Sequence, residues 1–284
     1  MKPFPLPVVA LGAGSQPEDP DLAYMPLPGE VESFIMPALP SSEDVSHLGR
    51  AIELIGQLAA LAARWQPGER CVRELAGLNS EELALVNQVL GEGEVSAKAL
   101  LADGGEARIQ ESVFAGVWRV IERLPDGRLQ DRIEVGAIPE VLKTCARQDG
   151  ASGHRPAARL PEGVMNAPTL LQELHDQRQQ WRAGQSAHLV NLSLLPLSPA
   201  DMACLEEQLG TGRVVILSRG YGNCRISSTR VPNTWRVVYY NSQDAMILNS
   251  IEVVDMPEVA CAAPEDLVDS EQRLREVMAW VNRI

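Results

Sequence analysis

The sequence has no long apolar segment. A membrane-spanning helix needs about 20 consecutive apolar residues, and the longest candidate, Ala51 to Ala63, is interrupted by Glu53 and Gln57. The start of the chain also lacks the helical apolar run of a secretory signal, because one lysine is followed by several prolines. We therefore predict a cytoplasmic protein with no membrane insertion.

Paired cysteines and clustered histidines are missing as well. The five cysteines form no Cys-x-x-Cys motif and are spread along the chain: Cys71, Cys145, Cys204, Cys224 and Cys261. The four histidines share no metal-ligand spacing: His47, His154, His175 and His188. These patterns indicate neither a disulfide framework nor a zinc site. We predict separate reduced thiols and no bound metal.

The common enzyme motifs are absent. The Gly-x-Gly sequences at Gly91 and Gly220 lack the third glycine of a dinucleotide-binding loop, and no Gly-Lys-Ser or Gly-Lys-Thr occurs. There is no Gly-x-Ser-x-Gly elbow, and Cys224 has no histidine nearby in sequence to act as its base. We predict no catalytic residue and no cofactor, and hence a protein that is not an enzyme.

Positive charge is scarce. The 38 acidic side chains outnumber the 25 lysines and arginines, which gives a formal net charge of -13. Most of this charge lies at the two ends, in residues 1–50 and 250–284. Such a field repels nucleic acid and attracts a basic peptide or subunit. We therefore exclude nucleic acid as a partner, although the excess of acid also serves solubility.

Composition divides the chain into an arm and two halves. Residues 1–40 are rich in proline and have no sustained period, which indicates an extended arm. The remaining divisions are an N-terminal half at 41–144, a linker at 145–164 and a C-terminal half at 165–284. Apolar residues at helical spacing predict helices over 43–65, 168–182 and 265–282.

One module occurs twice, at residues 78–141 and 197–259. Aligned with two short gaps, the copies are identical at 17 of 41 compared positions, whereas unrelated segments would match at about 3. Both copies predict a helix, a Gly-x-Gly exit, alternating strands and an ending at Pro-Glu-Val. We therefore predict an internal duplication.

The predicted fold is α+β, in which each copy contributes a helix over mainly antiparallel strands and the two copies pack together with the additional helices. A module of this size buries too little surface alone, which favours a pseudo-two-fold arrangement. The second copy has the continuous apolar run 214–217, whereas the matching strand of the first copy alternates and contains Lys98. We expect the second copy to be more buried and the first to offer the more accessible sheet face.

Two tryptophans occupy equivalent positions in the copies, and an arginine follows each. Aromatic and arginine side chains dominate the energetics of protein contacts, although core packing is the simpler explanation of the tryptophans. Copy one also has Glu111 at the position where copy two has Ser228. The candidate partner-binding residues are Glu111, Trp118, Arg119, Tyr221, Trp235 and Arg236.

Several stretches of the chain are distinctive: residues 90–96, 110–120, 165–166, 220–226, 253–259 and 263–270. Together they resemble the HupH/HyaF/HoxQ family of nickel–iron hydrogenase expression and formation proteins. The resemblance implies a role in maturation of an uptake hydrogenase, with no assigned catalytic residue. It implies binding of the iron–sulfur small-subunit precursor before that subunit joins the large subunit and leaves by the twin-arginine route. A thioredoxin-like accessory protein is a further implied partner.

Two other hypotheses remain open from the sequence. Folding or dimerisation would bring some of the five cysteines together, which would make the protein an iron–sulfur cluster or electron-handling maturation factor. A hydrolase acting on the precursor would need a metal or nucleophile site, and the sequence supplies neither. We expect a non-catalytic accessory protein.

Overall fold

The computed structural model describes residue 45 and residues 47–151, 161–220 and 222–281. The predicted arm lies outside these residues, as do the middle of the predicted linker, His154 and Tyr221. No helix in the described ranges is long and apolar enough to cross a membrane.

The described residues form six α-helices: α1 (Gly49–Arg64), α2 (Ser80–Leu90), α3 (Glu140–Ala151), α4 (Ala167–Gln180), α5 (Pro199–Leu209) and α6 (Pro264–Val281). Helices α1, α4 and α6 correspond to the three long helices that apolar spacing predicts. Helix α3 is a correction, because residues 145–151, which composition assigns to the linker, form its second half. Leu142 and Cys145 are its fully buried apolar side chains among the described residues, and so short an apolar pattern is hidden among polar residues.

Ten strands form a single sheet: β1 (Cys71–Glu74), β2 (Val95–Leu100), β3 (Glu106–Glu111), β4 (Val117–Arg123), β5 (Leu129–Val135), β6 (His188–Asn191), β7 (Val214–Ser218), β8 (Asn223–Ser228), β9 (Thr234–Tyr240) and β10 (Met246–Val253). Their order across the sheet is β1-β5-β4-β3-β2-β7-β8-β9-β10-β6. Every neighbouring pair is antiparallel. The predicted α+β class with antiparallel strands is confirmed.

The strand order is symmetric about the central pair β2–β7. Each half runs through a helix, an edge strand, a second helix and a four-stranded meander, from α1 to β5 and from α4 to β10. The two half-sheets join edge to edge, from Val95 opposite Ser218 to Ala99 opposite Val214. The internal duplication stays an interpretation of the sequence, to which the structure adds the shared order of elements.

Local sequence sets both ends of α2. Asn79 Oδ1 accepts the backbone N–H groups of Glu81 and Glu82 at 3.0 and 2.9 Å, and the Glu82 carboxylate accepts the Asn79 N–H at 3.0 Å. This reciprocal capping satisfies donors that have no partner inside the helix. Gly91 ends the helix with a φ of 54°, a conformation that favours glycine. The predicted glycine exit is confirmed.

The inner face of the sheet is covered at its centre by α3. Side chains opposite one another in neighbouring antiparallel strands share a face, and Ser228 lies opposite Trp235. Asp149 of α3 reaches this face, where it accepts from the Ser228 hydroxyl at 3.4 Å and from the Arg213 N–H at 2.6 Å. The short 3-10 turn Glu258–Ala260 packs against β7. This face therefore holds the centre of the core.

The outer face is covered by helices at its two ends. Helices α1 and α2 lie over the N-terminal end, where Arg119 of β4 donates to Asn87 of α2. Helices α4 and α5 lie over the other end, where they bury Val190, Ile251 and Val253 in a second apolar cluster. The central strands do not show the continuous burial expected for the second copy, because β7 alternates between buried and half-buried residues much as β2 does. A short apolar run does not require a cover on both faces.

Asp201 joins the start of α4 to the start of α5. The residue is fully buried, and its Oδ1 accepts the backbone N–H groups of Met165, Asn166 and Ala167 at 2.8, 2.8 and 2.9 Å. Its Oδ2 accepts the N–H and hydroxyl of Ser198 at 3.0 and 2.8 Å. These donors, led by the Ala167 N–H, hold the pKa of Asp201 well below its usual range.

Replacing Asp201 with alanine should destabilise the C-terminal half, because five donors at two helix starts lose their acceptor. We expect the Tm to fall by about 5–10 °C in a thermal melt followed by circular dichroism. Glu82→Ala is the matched control, since Glu82 occupies the corresponding position of α2 and its main charged partner, Arg50, is more than half exposed. Equal losses in the two variants would contradict this special role of Asp201.

Candidate functional site

The five cysteines lie on separate elements and do not converge. They are all free, in β1 (Cys71), α3 (Cys145), α5 (Cys204), β8 (Cys224) and after the 3-10 turn (Cys261). Among the residues that the structure describes, no group of three or more His, Cys, Asp or Glu side chains is placed to hold a metal ion. Within one chain, this placement gives no support to the iron–sulfur hypothesis.

Burial also keeps four of the thiols protonated, as their raised pKa values indicate. It raises the pKa of Cys145 and Cys204 above the usual value, and it raises the pKa of Cys224 and of Cys261 to about 12. The reactive and metal-binding form of cysteine is the thiolate. These four side chains therefore act as packing groups at neutral pH.

The two tryptophans predicted as contact groups lie in the core. Trp118 is 0% and Trp235 is 1% exposed, and the Trp118 indole N–H donates to the Gly136 carbonyl at 2.8 Å. Each ring stands on the inner face, opposite Glu134 and Glu252 respectively. Neither indole is accessible to a partner in this arrangement, which favours core packing over partner contact.

Arg119 and Arg236 point the other way and connect helices to the sheet. Arg119 Nη2 lies 2.6 Å from Asp131 Oδ2, while its Nη1 donates to Asn87 of α2. Arg236 Nη1 lies 2.7 Å from Glu206 Oε1 of α5. Both guanidinium groups are about three-quarters buried. They are engaged within the chain and hold the second helix of each half on the outer face.

Glu111 is buried on the inner face rather than displayed to a partner. It is 6% exposed, and one of its carboxylate oxygens accepts the Gly116 N–H at 3.1 Å. Burial, together with the carboxylates of Glu94 and Asp266, raises the pKa of Glu111 to about 7. Tyr221, the remaining candidate, lies outside the described residues.

Between the two pairs of helices, the middle of the outer face has no described helix over it. The principal helix contacts of β2 and β7 come from α3 on the inner face. We call this area the central strip, with a floor formed by Ser96, Lys98, Arg108, Val215, Leu217 and Arg225. Gln110 lies opposite both Ser96 and Arg119, which places the strip on the same side as α2.

The central strip is positively charged although the chain is acidic. Lys98 and Arg108 lie opposite each other on β2 and β3, and Arg225 lies on β8. The nearby Glu106 pairs with Arg108 at 2.6 Å. Hydrogen bonding and charge from Arg108, with the charges of Lys98 and Arg123, lower the pKa of Glu106. Such a field attracts an acidic segment rather than a basic one.

Exposed apolar side chains concentrate at the β6 edge of the sheet. Leu194 is 80%, Met246 56% and Ile247 61% exposed, and Leu195 lies beside them. These four residues form what we call the apolar edge patch, because the turn after β6 packs on the start of β10 and Ser193 Oγ accepts the Asn249 N–H at 2.8 Å. Sequence reasoning misses this patch, since its two parts lie far apart in the chain.

Comparison with known proteins identifies the family. The family model for the HupH hydrogenase expression protein, C-terminal conserved region, matches residues 49–160 and again residues 164–281. The hydrogenase expression/formation protein HoxQ of Cupriavidus necator is 50% identical over 285 residues, which cover 100% of both chains. The chain belongs to the HupH hydrogenase expression protein family.

Two further members of the HupH family show how far the similarity extends. Hydrogenase expression/formation protein HupH of Rhodobacter capsulatus is 45% identical over 276 residues, 97% of each chain. Hydrogenase-1 operon protein HyaF of Escherichia coli is 35% identical over 273 residues, 95% of each chain. The resemblance noted in the sequence is thereby confirmed.

Some stretches that carry the HupH-family resemblance have a structural explanation in this chain. Met165 and Asn166 present their backbone N–H groups to Asp201. At the exit of α2, the Gly93 N–H donates to the Glu111 carbonyl at 2.7 Å. A Cβ at Gly93 would lie 2.2 Å from the Ser112 carbonyl oxygen, so only glycine fits there. Fold requirements alone account for these residues.

Replacing Glu111 with glutamine should stabilise this HupH-family protein at high pH. The folded-state pKa of about 7 lies above the value of 4.5 expected for an exposed glutamate, so the wild type loses stability as the pH rises between these values. We expect the variant to be more stable by on the order of 2 kcal/mol at pH 8 and equally stable at pH 4.5. Urea unfolding at both pH values measures this. A stability difference that does not change with pH would contradict the assignment.

Proposed function

We propose that this protein acts in the maturation of a nickel–iron uptake hydrogenase as a non-catalytic accessory protein. Its client is the precursor of the iron–sulfur small subunit, which it binds before assembly with the large subunit and twin-arginine export. The hydrogenase part of the proposal is supported by its relatives, which are named hydrogenase expression/formation proteins. A thioredoxin-like accessory protein remains a proposed further partner.

The apolar edge patch is the observation that carries a binding role. Five of the nine large apolar side chains that are exposed in the described residues lie on β6, the turn after it and the start of β10. Concentrated apolar exposure of this kind marks a protein interaction site. A subunit that awaits assembly exposes the apolar surface that it will later bury against its partner. The patch therefore matches the chemistry of an unassembled small subunit.

The size of the patch favours transient binding. Four side chains form an interface at or below the small end of stable complexes, and immobilising the partners offsets much of the gain from burial. A weak contact suits a protein that must release its client to the large subunit. The net charge of -13 adds long-range attraction for a precursor that carries a basic export signal.

Placing a charge in the apolar edge patch should remove client binding without unfolding the protein. We expect Ile247→Glu and Leu194→Glu each to reduce co-purification of the small-subunit precursor about tenfold or more, because an unpaired carboxylate would be buried in the contact. The measurement is affinity purification of the tagged full chain from cells that produce the hydrogenase, with quantification of precursor by mass spectrometry.

The matched control for these variants is Leu129→Glu. Leu129 is 63% exposed, close to the value for Ile247, but it lies on β5 at the other end of the sheet. Its substitution should leave the recovery of precursor unchanged. The proposal fails if the wild type retains no precursor, or if all three variants retain as much as the wild type.

Single substitutions of Cys224, as a candidate nucleophile, and of His175 or His188, as candidate bases, should leave maturation of the hydrogenase intact. We expect normal hydrogenase activity in cells that carry Cys224→Ala, His175→Ala or His188→Ala, because a binding protein needs none of these groups for chemistry. Hydrogen uptake by whole cells is the readout, with the abundance of each variant measured alongside. Lost activity at normal abundance would favour the catalytic or cluster-handling alternatives.

A further inference from the structure

The central strip combines apolar residues without a described helix over them and a surrounding group of positive charges, and both properties favour a covering segment. It places Val215 and Leu217, both half-buried, in the middle of a sheet face without a described helix. Around them stand Lys98, Arg108 and Arg225, with Glu106 as the nearby acid. An occupant that fits this surface carries acidic side chains interleaved with apolar ones.

Residues 1–44 of the same chain have this composition. They contain seven acidic residues and one lysine. Within this segment, Val31 lies between Glu30 and Glu32, and the apolar run 34–36 follows after one serine. These residues lie outside the part of the chain that the structure describes, so their composition and their point of attachment carry the argument.

The point of attachment lies on the correct side of the sheet. Val45 is buried, His47 Nε2 lies 3.4 Å from Glu81 Oε2, and Arg50 pairs with Glu82 at 2.7 Å. The chain therefore reaches the body beside the start of α2, on the outer face. A 44-residue segment spans up to about 140 Å, whereas ten strands span only about 45 Å. Every position of the strip is within reach.

We propose that residues 1–44 bind to the central strip of their own chain, with acidic side chains against Lys98, Arg108 and Arg225 and apolar side chains on Val215 and Leu217. This inference is independent of the proposed client. Exposed ion pairs are individually weak and are screened by salt, so the contact depends on several pairs acting together. The covalent connection compensates, because it raises the local concentration of the segment to about the millimolar range.

Zero-length carbodiimide crosslinking of the full chain tests the proposal. The reagent joins an amine to a carboxylate that already touches it, and the chain contains only three lysines, Lys2, Lys98 and Lys143. Lys98 lies in the strip, whereas Lys143 lies on α3 at the inner face. We expect peptide mapping at low protein concentration to find links from Lys98 to the acids of residues 18–44 at least fivefold more often than from Lys143.

Salt and charge variants separate a specific contact from chance encounters. The links should fall at least fivefold between 20 mM and 0.5 M salt, because the Debye length shortens from about 20 Å to about 4 Å. Arg225→Glu should reduce them similarly, as should joint replacement of Glu30 and Glu32 by glutamine. The matched control is Arg128→Glu, an arginine that is 76% exposed in the turn between β4 and β5, which should change nothing. The Lys98–Glu106 link reports whether the amine has remained reactive.

Three results would overturn the proposal. One is equal linking of Lys98 and Lys143 to residues 18–44, which would indicate an unattached segment. Another is linking only between different chains, identified by mixing isotope-labelled and unlabelled protein, which would assign the strip to a second copy. The third is an unchanged yield in both charge variants when thermal melts show that they remain folded.

Discussion

Residues Val95 to Ala99 of β2 pair with Val214 to Ser218 of β7, and the two halves of the protein become one sheet along this ladder. Each half-sheet would otherwise end in an open strand edge at this position, and open edges invite aggregation. Helix α3 of the first half lies across the joint, where Asp149 accepts from the backbone of Arg213 in the second half. The core, the outer helices and the central strip all take their positions from this joint.

The same symmetry explains why the middle of the outer face has no described helix. Each half places its two helices over its own outer strands, with Arg119 and Arg236 connecting α2 and α5 to β4 and β9. The strands nearest the joint therefore have helix cover only on the inner face. A positively charged strip results there, because Lys98 of the first half and Arg225 of the second half come to lie on the same face, on either side of β7, when the sheet forms.

The two outer edges of the sheet differ in chemistry. β1 carries Arg73 and Glu74, charged side chains of the kind that protect an edge from further pairing. β6 reads His-Leu-Val-Asn, with Leu189 exposed and the apolar edge patch adjoining it. A symmetric architecture thus presents one protected end and one end suited to apolar contact. In the proposed function, the β6 end binds the client, whereas the β1 end has a structural role.

Local patterns were sufficient for much of the fold. Gly91 predicts the end of α2, and alternating residues predict the antiparallel strands, because each of these signals acts over a few neighbouring residues. The second half of helix α3 escaped prediction, since its apolar residues are few and stand among polar ones, which gives no clear helical period. For the candidate site, sequence reasoning selected Trp118 and Trp235, whose rings the structure buries, and it missed the apolar edge patch entirely.

The sequence by itself determined the class of fold, the approximate ranges of α1, α4 and α6, the absence of common catalytic motifs and the family. Those properties depend on residue type and short-range spacing, which any folded context preserves. Only the tertiary structure decided which side chains face a partner. Burial depends on what packs over a strand, and that is set by the pairing of β2 with β7 and by helices distant in sequence.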